Sequence, residues 1–431
     1  MFLIEINVMK FKSSKLWGAI ALVTNTSIAL LLSTPATLAQ DFDLESLRSR
    51  ATLLGDVGGY RSQLHEAGVD VNMHYFSTLM TNVSGGLDEG TAYKGNFTVG
   101  AVFDLEKMLG LQGGHFFVSG FNHHGDSVSR RYIGDSLGNR KDDVEDSTHL
   151  FELGYEQLLF EETLSIKFGQ LAVTSDFFGS AAGFFVHDSF NWQPNGQSGA
   201  PAGPDSALGL RIKYSPTTAT YVQAAVYDNG TSGGFGSDQN DKHGISWSAP
   251  TGNRAVWFVE GGLAPSSSQW AGWPLLKIGG WLSEAPTTDL LSGASASSNW
   301  GLYLIGEKML WTEEQASAQG LEGFFRCNWS TPDRNQFAWE LNVGLLYTGL
   351  IANRDEDVLG LGFTHAEVSD DWQKVNASGA SEQAFELKYR AKLVPWWNVE
   401  PFAQYILNPG LPNGRNLNDS LVFGLASSIT F

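Results

Sequence analysis

The chain has 431 residues, with 46 acidic and 27 basic side chains and a formal net charge of −19 at pH 7. This acidic balance argues against a nucleic-acid partner, because binding to phosphates requires a basic surface. The single cysteine, Cys327, excludes an intrachain disulfide. An exported chain of this length must then be held by core packing or by a closed hydrogen-bonded sheet.

The N-terminus has the pattern of a secretory signal peptide. Lysines precede an apolar run over residues 16–32, and a small-residue cleavage site follows that ends at Ala39. We therefore expect residues 1–39 to be a signal peptide cleaved near Ala39. The sequence leaves open whether Met1 or Met9 is the start.

Residues 40–68 are the one stretch with helical character. Their leucines are spaced for short amphipathic turns, which Gly58 and Gly59 interrupt. We predict a short, partly helical periplasmic segment here, and no further helix from Val69 onward.

Residues 69–431 read as strands, because short alternating runs are separated by Gly, Asn, Asp, Ser and Pro. About sixteen runs can be counted, and single-chain bacterial barrels have an even number of strands. The runs lie near 69–80, 97–107, 114–122, 149–158, 164–172, 206–214, 220–228, 255–264, 275–282, 300–310, 321–328, 337–349, 358–365, 384–394, 399–406 and 421–431.

The run at 384–394, AFELKYRAKLV, has one apolar face and one fully charged face. Either a soluble sandwich with a wet outer side or a membrane barrel with a polar lumen fits this pattern. Trp396 and Trp397 follow at a turn, where barrels carry interfacial aromatics, and the last run ends on Phe431.

The lengths of the connections favour the barrel. The links 160–163, 215–219 and 395–398 are short and fall on one side, whereas long links fall on the other. The short link 329–336 is the exception. Short periplasmic turns and long extracellular loops are typical of outer-membrane barrels. The long links are 123–148, 173–205, 229–254, 283–299 and 366–383.

Four separated stretches resemble the carbohydrate-selective porins of the OprB type. They are LLGDVGGYRSQLHEAGVDVNMHYFSTLMTNVSGG, ALGLRIKYSPTTATYVQAAVYDNG, LYTGLIANRDEDVLGLGFTH and VEPFAQYILNPG, in the family's order. The resemblance covers the chain from about Leu53 to Phe431. It implies an all-β transmembrane barrel of sixteen antiparallel strands with a polar lumen, which lets sugars diffuse passively across the outer membrane.

Strand phase and loop position then give candidate pore-lining residues. Charged and amide side chains can replace the hydration of a sugar, and aromatic rings can stack on its apolar face. The aromatic-rich link 173–205 is predicted to fold into the pore. The candidates are Arg211, Lys213, Arg326, Glu152, Glu156, Lys167 and Trp192.

No catalytic, metal or cofactor site is predicted. His123 and His124 are adjacent and lack a ligand spacing, and the acidic runs 142–146 and 355–357 lack the pattern of a calcium loop. The expected partners are small sugars, outer-membrane lipid and lipopolysaccharide, but no nucleic acid. The protein could be a homotrimer or a monomer.

Two alternatives stay open. A porin of the same family could carry inorganic ions or other small solutes without selectivity. A barrel that acts as an enzyme or adhesin through its outer loops is less consistent with nine scattered histidines and a charged lumen.

Overall fold

The computed structural model describes residues 44–431 apart from 139–142, 191–197, 204, 230–242, 246, 248, 265–273 and 314–318. Sixteen antiparallel strands form one closed barrel, in which β1 pairs with β16 and every other pair joins consecutive strands. This confirms the predicted fold class and strand number. The strands are β1 Val69–Gly86, β2 Gly90–Asp104, β3 Gly114–Gly125, β4 Ser147–Leu159, β5 Leu164–Leu171, β6 Ala207–Tyr214, β7 Thr220–Asp228, β8 Ala255–Leu263, β9 Leu275–Ser283, β10 Asn299–Thr312, β11 Gly320–Ser330, β12 Phe337–Thr348, β13 Val358–Val368, β14 Ser381–Val394, β15 Trp397–Leu407 and β16 Asn418–Thr430.

Short helices lie before the barrel and in its connections. The prediction that no helix follows Val69 is wrong, because single turns also form in the connections, two of them capped by a side chain. Asp104 accepts the amides of Glu106 and Lys107, and Ser369 accepts that of Trp372. None of the helices in the described residues is long and apolar enough to cross a membrane. The α-helices of the described residues are α1 Leu44–Ser49, α2 Tyr60–Glu66, α3 Leu105–Leu109, α4 Val173–Asp176 and α5 Asp370–Asn376.

The barrel is apolar outside and charged inside, which reverses the arrangement of a soluble protein. On β14 the side chains of Phe385 and Leu387 are 42% and 50% exposed on the outer wall. Between and beside them, Glu386 and Lys388 are buried in the interior. Alternation along each strand places successive side chains on opposite faces, so the same strands supply both a lipid-facing wall and a polar lumen.

The link between β1 and β2 is shorter than the sequence suggested. The ladder between these strands continues to Asn82 and Gly90, so only residues 87–89 connect them. Gly85 and Gly86 lie within β1 and form bulges against β16 with positive φ. This link is a second exception to the pattern of long loops on that rim.

Aromatic side chains mark both rims. Trp396 and Trp397 stack at the rim where β1 begins, with ring centroids 6.1 Å apart, and we call this the N-terminal rim. At the opposite rim Trp300 and Trp329 pack with centroids 5.0 Å apart. Two such belts are what the two interfaces of a bilayer favour.

The segment before β1 forms hydrogen bonds with the ends of the strands that close the barrel. Leu53 donates its amide to Thr430 at 2.8 Å, and Arg61 donates to the backbone oxygen of Phe431 at 2.7 Å. The indole of Trp396 donates to Leu47 at 2.8 Å. These bonds satisfy polar groups at the end of β16 that have no further strand residue to pair with.

Residues 126–138, which we call the crossing loop, fold across the opposite mouth. Val128 and Ile133 pack into a buried apolar cluster with Phe76 and Met80 of β1 and with inward side chains of β2, β14, β15 and β16. At its far end the loop is held by Glu382 of β14, which accepts the amides of Ser136 and Leu137. The same carboxylate accepts the amide of Gly410 in the link before β16.

We expect Arg61→Ala to weaken the closure of the barrel. A charge-assisted hydrogen bond of this kind contributes about 1–2 kcal/mol when it is half-buried. The free energy of unfolding, followed as the loss of the SDS-resistant barrel on heating, should fall by that amount. Arg48→Ala, which removes an exposed arginine of α1, should leave it unchanged. Equal stability of both variants would contradict the role of Arg61 in stabilising the closed barrel.

The crossing loop should loosen as the pH rises. Burial, together with the nearby carboxylate of Asp143, raises the pKa of Asp135 from 3.8 to about 6. A carboxyl with a raised pKa gives stability that is complete below about pH 4 and lost as the pH rises through about 6.

Hydrogen exchange of residues 128–137, corrected for the intrinsic rate, should show several-fold lower protection at about pH 7.5 than at about pH 5. Asp135→Asn should abolish that difference and keep the high protection at both values. If Asp135→Asn retained the pH dependence of protection, a titratable group other than Asp135 would be responsible for it.

Candidate functional site

Three predicted site residues meet in one buried cluster on the inner wall. Arg211 of β6 donates to Glu156 of β4 at 2.8 Å and lies 3.3 Å from Asp176, at the end of α4. Lys167 of β5 donates to Asp176 at 3.1 Å. Arg211 and Lys167 are 4% and 8% exposed, so their charges interact with carboxylates of the protein and not with solvent. Strand register brings them together, because Glu156, Lys167 and Arg211 are consecutive cross-strand partners.

Asp176 belongs to the link between β5 and β6, whose part 172–190 we call the inner loop. Glu152, another predicted site residue, accepts the amide of Ala172 at 3.1 Å where this loop begins. Gln223 of β7 donates to the backbone oxygen of Asp176 at 2.8 Å. The predicted charged residues of β4, β5 and β6 therefore hold the start of the inner loop against the wall.

Further round the barrel the wall continues to hold the loop by its backbone. Glu260 of β8 accepts the amide of Phe178 at 3.4 Å. Lys277 of β9 donates to the backbone oxygen of Gly179, and Glu307 of β10 accepts the amide of Ala181, both at 2.6 Å.

The far end of the loop is fixed by β11 and β14. Glu386 accepts the amides of Val186 and His187 at 2.8 and 2.7 Å, and Lys388 donates to the oxygen of Phe184 at 2.6 Å. Arg326, a predicted site residue, is 4% exposed and donates to the backbone oxygen of Phe190.

Aromatic packing adds to these bonds. The loop's phenylalanines are almost completely buried, and they contact inward aromatic residues of the wall. Phe178 packs edge-on against Tyr303, with centroids 4.8 Å apart, and Phe185 lies 5.9 Å from Phe324. Each such ring buries a large apolar area, which makes the loop a fixed part of the interior. The prediction that this link folds into the barrel is confirmed for the residues described.

The remaining predicted residues differ in what the structure says of them. Lys213 is half-buried on the inner wall of β6, with its ammonium 4.7 Å from the ring centre of Tyr221. Trp192 lies outside the described residues. That all seven residues line the pore stays a prediction; the geometry shows that Arg211, Lys167 and Arg326 hold the loop.

Sequence reasoning missed several residues of this arrangement. The signal was present, because each missed wall residue is a charged side chain in the inward phase of its strand. Their partners are backbone atoms of the loop, which carry no sequence pattern, and this is why the contacts could not be foreseen. The missed wall residues are Glu260, Lys277, Glu307, Glu386 and Lys388. Asp176 of the loop was missed as well, and its carboxylate pairs with the side chains of Lys167 and Arg211.

The adjacent histidines His123 and His124 lie on opposite faces of β3. His123 points inward and stacks on His149, with centroids 5.5 Å apart, whereas His124 points outward onto Tyr75 at 5.8 Å. Burial lowers the pKa of His187 in the inner loop to about 3, so this ring is neutral at ordinary pH. Within the described residues no group of three ligating side chains could hold a metal ion.

Charged side chains of both signs remain partly exposed on the inner wall. They include Lys213 of β6, Glu322 of β11 and Arg390 of β14, together with the loop-holding Lys277 and Glu307. Such groups can exchange hydrogen bonds with a passing polar solute without burying it.

The comparisons with known proteins agree with this architecture. A family model described as "Carbohydrate-selective porin, OprB family" matches residues 88–431. Porin B of Pseudomonas aeruginosa is 25% identical, over 88% of this chain and 91% of its own length. The putative porin QuiX of Acinetobacter baylyi is 24% identical, over 94% of this chain and 98% of its own.

Solved structures show the same fold. The high-pH structure of Pseudomonas putida OprB superposes with a TM-score of 0.79 at 24% identity, covering 89% of this chain and 99% of that one. The fold and the family are those of a transport channel in a Gram-negative outer membrane. Since the family model spans most of the chain, the protein is a member of the OprB family of carbohydrate-selective porins.

Proposed function

We propose that the protein lets small sugars diffuse passively across the outer membrane, through a water-filled channel that the inner loop narrows. The observation that carries this proposal is the inner loop itself, held to the wall by side chains of β4 to β14. A loop fixed at both ends gives a constriction of constant width, and this is what discrimination by size requires.

The charges of the wall have two roles in this proposal. Buried residues such as Arg211 and Arg326 position the loop. The partly exposed residues Lys213, Glu322 and Arg390 contact the solute. A neutral sugar that loses water at the constriction can regain hydrogen bonds from donors and acceptors of both signs, and the bonds stay weak enough for release.

Tyr221 and Trp192 are proposed as stacking surfaces for the apolar face of a sugar ring. Tyr221 is half-buried, and its hydroxyl donates to Glu260 at 2.7 Å, which fixes the ring. An aromatic platform contributes apolar contact without demanding polar partners. Trp192 is proposed from the sequence alone.

The N-terminal rim is proposed to face the periplasm. A signal peptide would deliver the chain to that side. The links 160–163, 215–219 and 395–396 at this rim are short, as periplasmic turns are, whereas the crossing loop and the inner loop belong to the opposite rim. The oligomeric state is proposed as either a homotrimer or a monomer.

The test is swelling of proteoliposomes that contain the refolded protein, with glucose, a disaccharide, an amino acid and a salt in parallel. We expect glucose to enter faster than its size alone predicts. Rates that follow only solute size would favour the non-selective alternative. Absence of swelling by a folded barrel would exclude a porin.

Releasing the loop should reduce size discrimination. Arg326→Met removes the bond to Phe190 at nearly constant volume, and the freed loop end should raise disaccharide entry several-fold relative to glucose. Arg326→Lys can still donate to the same oxygen and should preserve the ratio. An unchanged ratio in Arg326→Met, with the barrel still folded, would show that the loop does not set the constriction.

Removing an exposed charge should act differently. Lys213→Gln or Glu322→Gln should change the rate for glucose but not the ratio of disaccharide to glucose entry, because the loop stays in place. Lys374→Gln, an exposed lysine of α5, is the matched control and should change neither. A changed ratio would assign Lys213 or Glu322 a part in the constriction.

A further inference from the structure

One lysine of the sixteen described strands lies on the outer wall. Alternation in the sixteen described strands places Lys308 of β10 outward, since it lies between the inward Glu307 and the bulge at Leu310. The other lysines and arginines of these strands are in the inward phase. Lys308 is exposed, and no carboxylate of the described residues forms an ion pair with it.

Beside Lys308 the wall has a groove of about 610 Å³, which we call the outer groove. It is almost entirely apolar, and its sides are side chains of neighbouring strands. Gly323, the direct cross-strand partner of Lys308, leaves its floor open. A methyl group there would lie 2.9 Å from Leu310 and 3.6 Å from Leu345. Leu276 and Phe325 also line the groove.

The groove lies in the half of the barrel nearest the N-terminal rim. β10 ends at that rim with Thr312, and Trp311 packs there against Tyr347 with centroids 6.1 Å apart. Aromatic residues of this kind mark the level of lipid headgroups. A lysine stem four carbons long can carry its ammonium from the groove to that level.

An uncompensated cation on the lipid-facing wall is costly at the bilayer midplane and less costly toward the interface. A negatively charged partner removes that cost, and the phosphate of a lipid is the anion at this depth. Its acyl chain would fill the apolar groove below. The groove and the lysine are thus complementary to the two ends of one lipid.

We propose that the outer groove binds one anionic phospholipid, with its phosphate on Lys308 and an acyl chain over Gly323. The choice of a phospholipid rests on the proposed orientation, in which the N-terminal rim faces the periplasm. A second copy of the chain is the competing occupant. Charge gives this alternative no support, because a second copy would bury Lys308 without bringing a phosphate to its ammonium.

The test is native mass spectrometry of the delipidated barrel in detergent, titrated with phosphatidylglycerol or with phosphatidylcholine of the same chains. We expect one tightly retained phosphatidylglycerol. Lys308→Gln should weaken its binding about fivefold, the contribution of one basic residue near anionic lipid. Gly323→Val, which fills the floor, should weaken it as well.

Lys107→Gln is the control, because it removes an exposed lysine in the link at the same rim and should leave binding unchanged. Equal losses in Lys107→Gln and Lys308→Gln would overturn the proposal as non-specific charge. Tighter retention of lipid A than of phosphatidylglycerol would overturn the choice of leaflet. A change in oligomer distribution in Lys308→Gln, without a change in bound lipid, would assign the groove to a second copy.

Glucose-driven swelling separates this proposal from the sugar channel. Lys308 faces outward, so Lys308→Gln should transport glucose as the unchanged protein does. Loss of lipid binding in Lys308→Gln with normal swelling would support the lipid site and leave the proposed sugar channel unaffected. Absence of swelling in the unchanged protein would contradict the proposed sugar channel.

Discussion

A peptide group inside a bilayer has no water to bond to, and every other feature of this chain follows from that constraint. Only a sheet without edges satisfies all its backbone groups, so β1 must meet β16. The segment before β1 supplies the last donors at that junction, through Leu53 and Arg61. Closure then creates an interior that is sheltered from lipid and can hold charges.

Those interior charges act mainly on backbone. Glu386, Lys388 and Arg326 hold the inner loop by its amides and carbonyls, and Glu382 does the same for the crossing loop. A carboxylate or ammonium in a partly dry interior requires such partners, because a buried charge without them costs several kcal/mol. Loop and wall therefore stabilise each other: the loop's peptide groups are satisfied by the wall, and the wall's charges are satisfied by the loop.

The sequence was sufficient for the barrel and insufficient for the interior. Alternation with a period of two identified all sixteen strands and put Glu152, Glu156, Lys167, Arg211, Lys213 and Arg326 in the inward phase. The aromatic content of residues 173–205 indicated a loop inside the barrel. The crossing loop gave no such signal, because its buried residues are few and its anchor is a single glutamate far along the chain. Short capped helices such as α3 and the bulges at Gly85 and Gly86 depend on local bonds that periodicity does not encode.

Because the wall holds the inner loop by its peptide groups and by its buried phenylalanines, the path of the loop does not depend on the side chains that point toward the channel. Between the anchored positions, residues that point toward the channel can be exchanged while the backbone keeps its course. The same scaffold can therefore present different surfaces to a solute without redesign of the barrel. For engineering, the solute-facing side chains of the inner loop can therefore be substituted to change selectivity. The main-chain contacts of Gly179, Ala181 and Phe190, which hold the loop, must be kept.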